Sequence, residues 1–402
     1  MAKPSRVRVT GPLAPHAAGF RGELKQLGYT PNGASNQLQL LAHASRWLDS
    51  QGLGVDELTP SRVVEFLAQR RAEGYTLWLS ARAMMPMLDY LRRIGVIATP
   101  APAVPVTEAE ELHEHYRAYL VQERGLAAGT IAGYLHVARL FFAARAVDGQ
   151  LHLDRLGAAE VIEFVLAECA SRSVGSAKYV VCGLRSLLRY LFVAGHIEVA
   201  LDAAVPAAAG WRLATVPLTV GPVEVARLLA SCDRRSAFGR RDYAVLVVLS
   251  RLGLRAGEVA ALELKDLDWR AGELVVRGKG RRSERLPLPA DVGEALAGWL
   301  RRGRPRCECT AVFTRVRAPH RPLTSGGVSH IVRAACVRAG LPPVHAHRLR
   351  HSAATEMLRA GASLGEVGQV LRHASVFSTA IYAKVDWGRL RGLALPWPGA
   401  AS

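Results

Sequence analysis

Long apolar segments and a secretion signal are both missing from this chain of 402 residues. Its most apolar run, Tyr243–Leu249, is far shorter than the roughly 20 residues that a membrane-spanning helix requires. The N-terminus reads Met-Ala-Lys-Pro-Ser-Arg and lacks the apolar core of a signal peptide. The sequence therefore favours a cytoplasmic protein.

Cysteine is scarce, and its spacing does not match a disulfide framework, which fits a reducing compartment. The six cysteines are Cys169, Cys182, Cys232, Cys307, Cys309 and Cys336. The pair in Cys307-Glu308-Cys309 lacks a second matching pair, so we do not expect a structural zinc site.

Acidic residues are also few relative to basic ones. The chain has 34 Asp and Glu against 52 Lys and Arg, a net charge of +18. Such an excess favours a polyanionic partner, because each phosphate that is neutralised releases condensed counterions. The alternative is a generally basic surface.

Half of the residues are apolar, so the chain is globular, and its length fits two or three domains.

A helical pattern occurs twice in the first half of the chain. The segment that begins at Leu58 (Leu-Thr-Pro-Ser-Arg-Val-Val-Glu-Phe-Leu) resembles the one that begins at Leu156 (Leu-Gly-Ala-Ala-Glu-Val-Ile-Glu-Phe-Val). Leu88-Asp-Tyr-Leu91 likewise has a counterpart in Leu188-Arg-Tyr-Leu191. Both offsets are near 100 residues, which indicates a duplicated helical domain. Chance similarity between two amphipathic segments is the alternative.

Two stretches rich in Pro and Ala separate the predicted domains. They are Thr99–Pro105 and Ala203–Gly210, and both have the composition of linkers. We predict a flexible arm at 1–15, a helical domain at 16–98, a second helical domain at 107–205, and a last domain at 215–402.

The last domain combines helices with a small sheet. Asp242–Leu252 is almost wholly apolar after its first residue, which predicts a central buried helix. Leu274–Val276 and Arg285–Leu288 flank a turn rich in Gly and Arg, which predicts a β-hairpin. The fold class is therefore mainly α, formally α+β, with two helical domains ahead of a mixed helical domain.

Two cationic motifs lie in this domain. Arg255 follows the apolar helix in Gly-Leu-Arg-Ala-Gly-Glu. Its planar guanidinium can donate two parallel hydrogen bonds to two oxygens of a phosphate. Glu258 either holds that guanidinium or caps the next helix, and a structural salt bridge is the alternative function for Arg255. Lys279 lies between two glycines at the hairpin tip, which would let the backbone approach a phosphate closely. An ordinary solvated turn is the alternative.

The chain from His347 to Tyr382 concentrates further polar chemistry. His347 and Arg350 lie three residues apart on a predicted helix, His373 follows the next helix, and Tyr382 comes nine residues later. His345, His347 and His351 lack a carboxylate or cysteine at a spacing that would complete a metal site. A free phenol has a pKa near 10, so a nucleophilic tyrosine needs cationic neighbours and a general base.

Taken in chain order, these residues resemble the catalytic set of the tyrosine recombinase, or phage integrase, family. The matching positions are Arg255 in Gly-Leu-Arg-x-x-Glu, Lys279 in Gly-Lys-Gly, His347 and Arg350 in His-x-Leu-Arg-His, His373 in Leu-x-His, and Tyr382 nine residues on. The resemblance covers the last domain well. It covers 107–205 more loosely, as the SAM-like core-binding domain of that family, and 16–98 resembles a second core-binding unit.

The resemblance implies a site-specific DNA recombinase or integrase, or the transposase of a mobile element, that cuts and rejoins DNA strands. Tyr382 would cleave the phosphodiester through a 3′-phosphotyrosyl intermediate, with no metal, ATP or other cofactor. Arg255 and Arg350 would hold the non-bridging oxygens, to which His373 would donate a further hydrogen bond.

Proton transfer is assigned by the same resemblance to two residues. His347 would take or assist the proton of Tyr382. Lys279 would protonate the departing 5′-oxygen.

Further DNA contacts are expected from the hairpin and from the second helical domain, although ordinary solvated surfaces are the alternative at each position. The candidates are Arg277, Arg281, Arg282, Lys178, Arg185 and Arg189.

The implied partners are double-stranded DNA at specific sites, other copies of this chain in a tetramer, and accessory recombination proteins, in the cytoplasm of a bacterium. The tail that carries Trp387, Leu390 and Leu393 would dock on a neighbouring protomer or fold back on its own domain.

Two other functions use much the same residues. One is DNA relaxation by an enzyme like a type IB topoisomerase, although the duplicated N-terminal domains argue against it. The other is a non-catalytic DNA-binding regulator, which would tolerate loss at one of the six positions.

Overall fold

The computed structural model describes residues 7–99, 107–147, 150–208, 219–278, 283–372 and 377–385. The chain divides into two compact units. One contains Met1–Thr99 together with Thr215–Ser402, and the other is Pro100–Ala214.

Four helices form the N-terminal part of the first unit: α1 Ala17–Gln26, α2 Pro31–Ser50, α3 Pro60–Ala72 and α4 Ala81–Arg93. α2 and α3 begin with proline after a threonine whose side chain accepts a backbone N–H of the first turn. Both features favour a helix start. The four helices enclose a core that includes Phe20, Trp47 and Phe66.

Residues 7–15 differ from the flexible arm that was predicted for 1–15. Leu13 is fully buried, and its backbone N–H donates to the Ser45 hydroxyl at 2.9 Å. The same hydroxyl donates to the Thr10 carbonyl at 2.6 Å. A buried leucine and two hydrogen bonds to α2 hold this segment in place, which the Pro-rich composition of the arm did not reveal.

The second unit contains α5 Glu108–Gln122, α6 Ala128–Arg145, β1 Ala146–Val147, β2 Gln150–Leu151, α7 Ala158–Cys169 and α8 Val174–Val193. β1 and β2 form a small antiparallel ladder, which the sequence did not predict. α3 and α7 carry the first repeated segment, and α4 and α8 carry Tyr90 and Tyr190, both buried. These correspondences support a duplication, which stays a prediction, as do the domain boundaries.

The remainder of the first unit is a helical domain with a three-stranded antiparallel sheet. Its helices are α9 Pro222–Ala230, α10 Ala237–Leu252, α11 Ala256–Ala260, α12 Ala290–Arg302, α13 Ser325–Arg338, α14 Ala346–Arg359, α15 Leu364–Val370 and α16 Phe377–Ala380. Its strands are β3 Leu267–Asp268, β4 Glu273–Arg277 and β5 Ser283–Pro287, in the order β3-β4-β5.

The apolar helix α10 lies at the centre of this domain and packs against α12, α13 and α14. Most of its side chains from Asp242 to Leu252 are buried, as predicted. The hairpin of β4 and β5 is also confirmed, with Val275 opposite Arg285. The predicted fold class, mainly helical with a small sheet, is therefore correct.

Candidate active site

Arg255 lies at the turn that follows α10. The turn begins at Gly253, which has φ +58°, and a Cβ there would lie 2.6 Å from Cδ2 of Leu371, so the position requires glycine. Arg255 is the N-cap residue of α11. Its backbone N–H donates to Oε2 of Glu258 at 2.8 Å, and its Nη1 donates to Oε1 at 2.7 Å. Glu258 therefore both caps the helix and holds the guanidinium, whose side chain remains 41% exposed.

Arg350 lies on α14 and joins three elements of the site. Its side chain is 1% exposed. Nη1 donates to the Gly253 carbonyl at 2.6 Å, and Nη2 donates to the Leu371 carbonyl after α15. Burial, and then the nearby charge of Arg255, lower the pKa of Arg350 to about 10, against the opposing effect of Glu258.

Glu258 is the carboxylate at the centre of the arginine cluster. Besides Arg255, it binds Nη2 of Arg372 at 2.9 Å, and Nη1 of Arg350 lies 4.0 Å away. Burial acts to raise the pKa of Glu258, but the hydrogen bond from the Arg255 backbone and the charge of Arg372 outweigh it and the pKa is lowered. One carboxylate thus faces three guanidinium groups, which leaves a net positive charge.

Tyr382 lies in a 3₁₀ turn, Ile381–Val385, and is 1% exposed. Its ring belongs to a small apolar cluster with Leu358, Val367 and Leu371. Burial raises the pKa of the Tyr382 hydroxyl to about 12, while the charges of Arg350 and then Arg255 act to lower it.

Two histidines of α14 stand beside this hydroxyl. Nδ1 of His351 lies 2.7 Å from the Tyr382 oxygen. The rings of His347 and His351 meet edge to face with their centroids 4.4 Å apart. Burial lowers the pKa of His351 to about 4, with His347 and Arg350 adding to the effect. Burial, then Arg350 and Arg255, also lower the pKa of His347. Both imidazoles are therefore neutral near pH 7.

The structure thus brings four of the six predicted catalytic residues into one region: Arg255, His347, Arg350 and Tyr382. Lys279 and His373 lie outside the described residues.

Two residues of this region were missed by sequence reasoning. His351 shares a helix face with His347 at i, i+4, which was a usable signal. Arg372 follows α15 with φ +56°. A positive φ at a residue other than glycine is uncommon and could not be predicted from the sequence.

The other predicted DNA contacts engage protein groups where they are described. Arg277 binds both oxygens of Asp266. On α8, Arg185 donates to the Val205 carbonyl and Arg189 to Asp202, each at 2.7 Å. Lys178 also lies on α8, and Arg281 and Arg282 lie outside the described residues. Their contacts with DNA stay predictions.

The described ranges contain neither a cluster of metal ligands nor a membrane-spanning helix. In these ranges, no His, Cys, Asp or Glu side chains group in threes or more in a way that could hold a metal ion. In the same ranges, no helix has both the length and the apolar character needed to cross a membrane.

Known proteins resemble this chain in sequence and in fold. Residues 220–389 match the model of the phage integrase family. The chain is 42% identical to the integrase/recombinase y4rA of Sinorhizobium fredii, itself provisionally assigned, over 97% of this chain and 96% of that protein. It is 32% identical to tyrosine recombinase XerD of Mycobacterium tuberculosis, over 71% of this chain and 95% of XerD.

A solved structure extends the likeness to the fold. It is the XerH site-specific recombinase bound to palindromic difH substrate, a post-cleavage complex. The match has a TM-score of 0.56 at 19% identity, over 82% of this chain and 93% of that one.

The likeness to these recombinases shows that the chain is a DNA recombinase of the tyrosine class. With the identity and coverage above, the chain belongs to the phage integrase family of tyrosine recombinases.

Proposed function

We propose that this protein is a site-specific DNA recombinase that cuts and rejoins strands through a phosphotyrosyl link to Tyr382. The observation that supports it most is the position of the Tyr382 hydroxyl, 2.7 Å from His351. The charges of Arg350 and Arg255 are close enough to act on that hydroxyl. A tyrosine with a neutral base on one side and cations on the other has what phosphoryl transfer requires.

In the proposed reaction the Tyr382 oxygen attacks the scissile phosphorus and the bond to the 5′-oxygen breaks. Negative charge then gathers on the non-bridging oxygens, where Arg255 and Arg350 stabilise it. The more exposed Arg255 meets the DNA first, and Arg350 completes the clamp. His373 adds a donor to the same oxygens.

The phenolic proton passes to the pair formed by His351 and His347, because His351 faces the hydroxyl and His347 contacts His351. Lys279 gives a proton to the departing 5′-oxygen. A 5′-hydroxyl of the partner strand then attacks the phosphotyrosyl link and regenerates Tyr382. The bond energy is conserved, so this scheme consumes no ATP.

The burial of the reacting groups adds a conformational step. Tyr382 and Arg350 are each 1% exposed, so a DNA phosphate does not reach them in this arrangement. A pKa of about 12 also keeps the phenol protonated. We propose that binding of DNA uncovers both groups and places the phosphate against them.

Double-stranded DNA is the partner that this proposal requires, and the XerH structure with its difH substrate supports it. A tetramer on two duplexes in a bacterial cytoplasm, with the helical domains at 16–98 and 107–205 as DNA-binding parts, completes the proposal.

Covalent trapping tests the proposed nucleophile. Wild-type protein is incubated with a randomised library of nicked duplexes, and SDS-resistant complexes are recovered until a preferred sequence emerges. We expect that sequence to become linked to Tyr382 through its 3′-phosphate, as mass spectrometry of the tryptic peptide would show. Tyr382→Phe should bind the same duplex in a mobility-shift assay and form no covalent complex. A link formed by Tyr382→Phe would refute the assignment.

A further inference from the structure

Arg372 is a third arginine of the site, and its backbone is unusual. It is one of two non-glycine residues with positive φ among the residues that the structure describes. A side chain rarely occupies this left-handed region unless the surrounding structure enforces it. Glycine would adopt the same turn without strain. The presence of arginine here calls for a function of its side chain.

The side chain of Arg372 turns inward, where it is 4% exposed. Nη1 donates to the Val370 carbonyl at 3.0 Å and Nη2 to Oε2 of Glu258 at 2.9 Å. Nε is buried and has no hydrogen-bond partner among the described residues. A buried cation with an unsatisfied donor is costly in free energy. The strained backbone and the unsatisfied Nε both destabilise the fold, and the contact that they allow is the ion pair of Arg372 with Glu258.

Glu258 has two oxygens to share among the surrounding cations. Oε1 accepts from Nη1 of Arg255, while Oε2 accepts from the Arg255 backbone and from Arg372. Nη1 of Arg350 lies 4.0 Å from Oε2. If Arg372 were absent, Oε2 would keep only the hydrogen bond from the Arg255 backbone and could move closer to Nη1 of Arg350. The carboxylate would then neutralise the cation that the proposed reaction uses.

We infer that Arg372 is a positioning residue, which holds Oε2 of Glu258 so that Arg350 remains available to a DNA phosphate. The inference rests on the proposed function. Arg372 acts through Glu258 and not by contact with the reacting atoms. The charge of Arg372 also helps to keep the Glu258 pKa low, so the carboxylate stays ionised.

Arg372→Gly tests this inference, because it removes the cation and leaves a residue that suits the backbone. We expect the single-turnover rate of covalent-complex formation, on the duplex selected by wild type, to fall on the order of 100-fold, as for other misplaced site groups. DNA affinity should remain unchanged. Arg372→Lys, which keeps the charge, should recover part of the rate. Arg359→Ala is the control, since it breaks an exposed pair with Glu356 far from this carboxylate.

Coupling to Glu258 separates a positioning function from a merely structural one. Glu258→Gln alone should lower the rate, and adding Arg372→Gly to it should cost little more, because both changes break the same contact. In Arg372→Gly the acid limb of the pH–rate profile should move to higher pH, since Glu258 loses a cation that lowers its pKa. Thermal unfolding of every variant checks that the fold is retained.

Three outcomes would count against the inference. A wild-type rate in Arg372→Gly, or rate losses that simply multiply in the double variant, would overturn it alone. If wild-type protein bound DNA but never became linked to it, the proposed function and this inference would fail together.

Discussion

Two buried arginines of this protein, Arg70 and Arg350, have opposite surroundings. Arg70 on α3 is 4% exposed, and in the described part of the chain no carboxylate lies within 4.0 Å of it. It donates to Nδ1 of His43 at 2.7 Å and to the Leu77 carbonyl at 3.3 Å, and its guanidinium lies 4.1 Å from the ring centre of Tyr75. Arg350 is equally buried but shares its surroundings with two arginines and a carboxylate.

Burial of a charge does not by itself mark a functional site in this protein. Arg70 has neutral partners for both terminal nitrogens, while its buried Nε has none among the described residues. These partners fix the loop after α3, so the contribution of Arg70 is to stability. Arg350 has like charges nearby, which the protein alone leaves uncompensated. A cluster that gains stability when an anion arrives is what a phosphate site needs.

The largest difference between the two arginines should appear in catalysis. Arg350→Ala removes one of the proposed phosphate clamps, so the rate of covalent-complex formation should fall by roughly 100- to 1000-fold. Arg70→Ala should leave the rate per folded molecule unchanged. Single-turnover cleavage of the selected duplex measures both. Equal losses in the two variants would mean that Arg350, like Arg70, only supports the fold.

A smaller effect is expected from the histidines that partner each region. His351→Asn removes the contact with the Tyr382 hydroxyl and should slow cleavage about 10- to 100-fold, because the nucleophile loses its orientation and its base. His43→Asn, which removes the partner of Arg70, should cleave at the wild-type rate. The same assay applies, and unaltered cleavage by His351→Asn would show that this contact is not used in the reaction.

For the free energy of unfolding, in contrast to the cleavage rate, we expect a large effect in the region of Arg70. Arg70→Ala loses two hydrogen bonds and two cation–π contacts, with Phe66 and Tyr75, so we expect a loss of about 2–4 kcal/mol in the free energy of unfolding. Arg71→Ala is the matched control. It removes one exposed hydrogen bond, 2.8 Å long, to Leu79 of the same loop, and should cost under about 1 kcal/mol. Urea unfolding distinguishes them, and similar losses would contradict the importance of burial.

The smallest effect is the dependence of stability on pH. His351 has a folded-state pKa of about 4, below its ordinary value of 6.5. Between these values the unfolded chain binds more protons than the folded one, so stability should fall as pH decreases through this window. His351→Gln should flatten part of that slope. Thermal midpoints at pH 7 and pH 5 should differ by about 2 °C less in the variant than in wild type. An unchanged difference would show that His351 is not the titrating group.

Features that depend on local sequence were predictable. The capping box from Ser363 to Glu366 opens α15, and the apolar character of α10 placed it in the core. Both follow from the residue types and their spacing. The short pairing of β1 with β2 was not predictable, because two-residue strands have no periodicity to detect.

The site shows the same limit. Arg255, His347, Arg350 and Tyr382 were predicted from their motifs. The i+3 spacing of Glu258 left two alternatives, binding the guanidinium or capping the helix, and the structure shows both. The position of Tyr382 against His351 depends on how two distant segments pack, and the inward turn of Arg372 depends on one backbone angle. Residue types and their spacing therefore could not predict the contact of Tyr382 with His351 or the direction of the Arg372 side chain.

The enclosure of Tyr382 among Leu358, Val367 and Leu371 has a consequence for the cell. A chain of charge +18 meets chromosomal DNA constantly and without regard to sequence. Were its tyrosine permanently open to solvent, each such encounter would risk a nick. Under the proposed function, burial of Tyr382 until the correct duplex is bound would make strand breakage conditional on recognition and protect other DNA from cleavage.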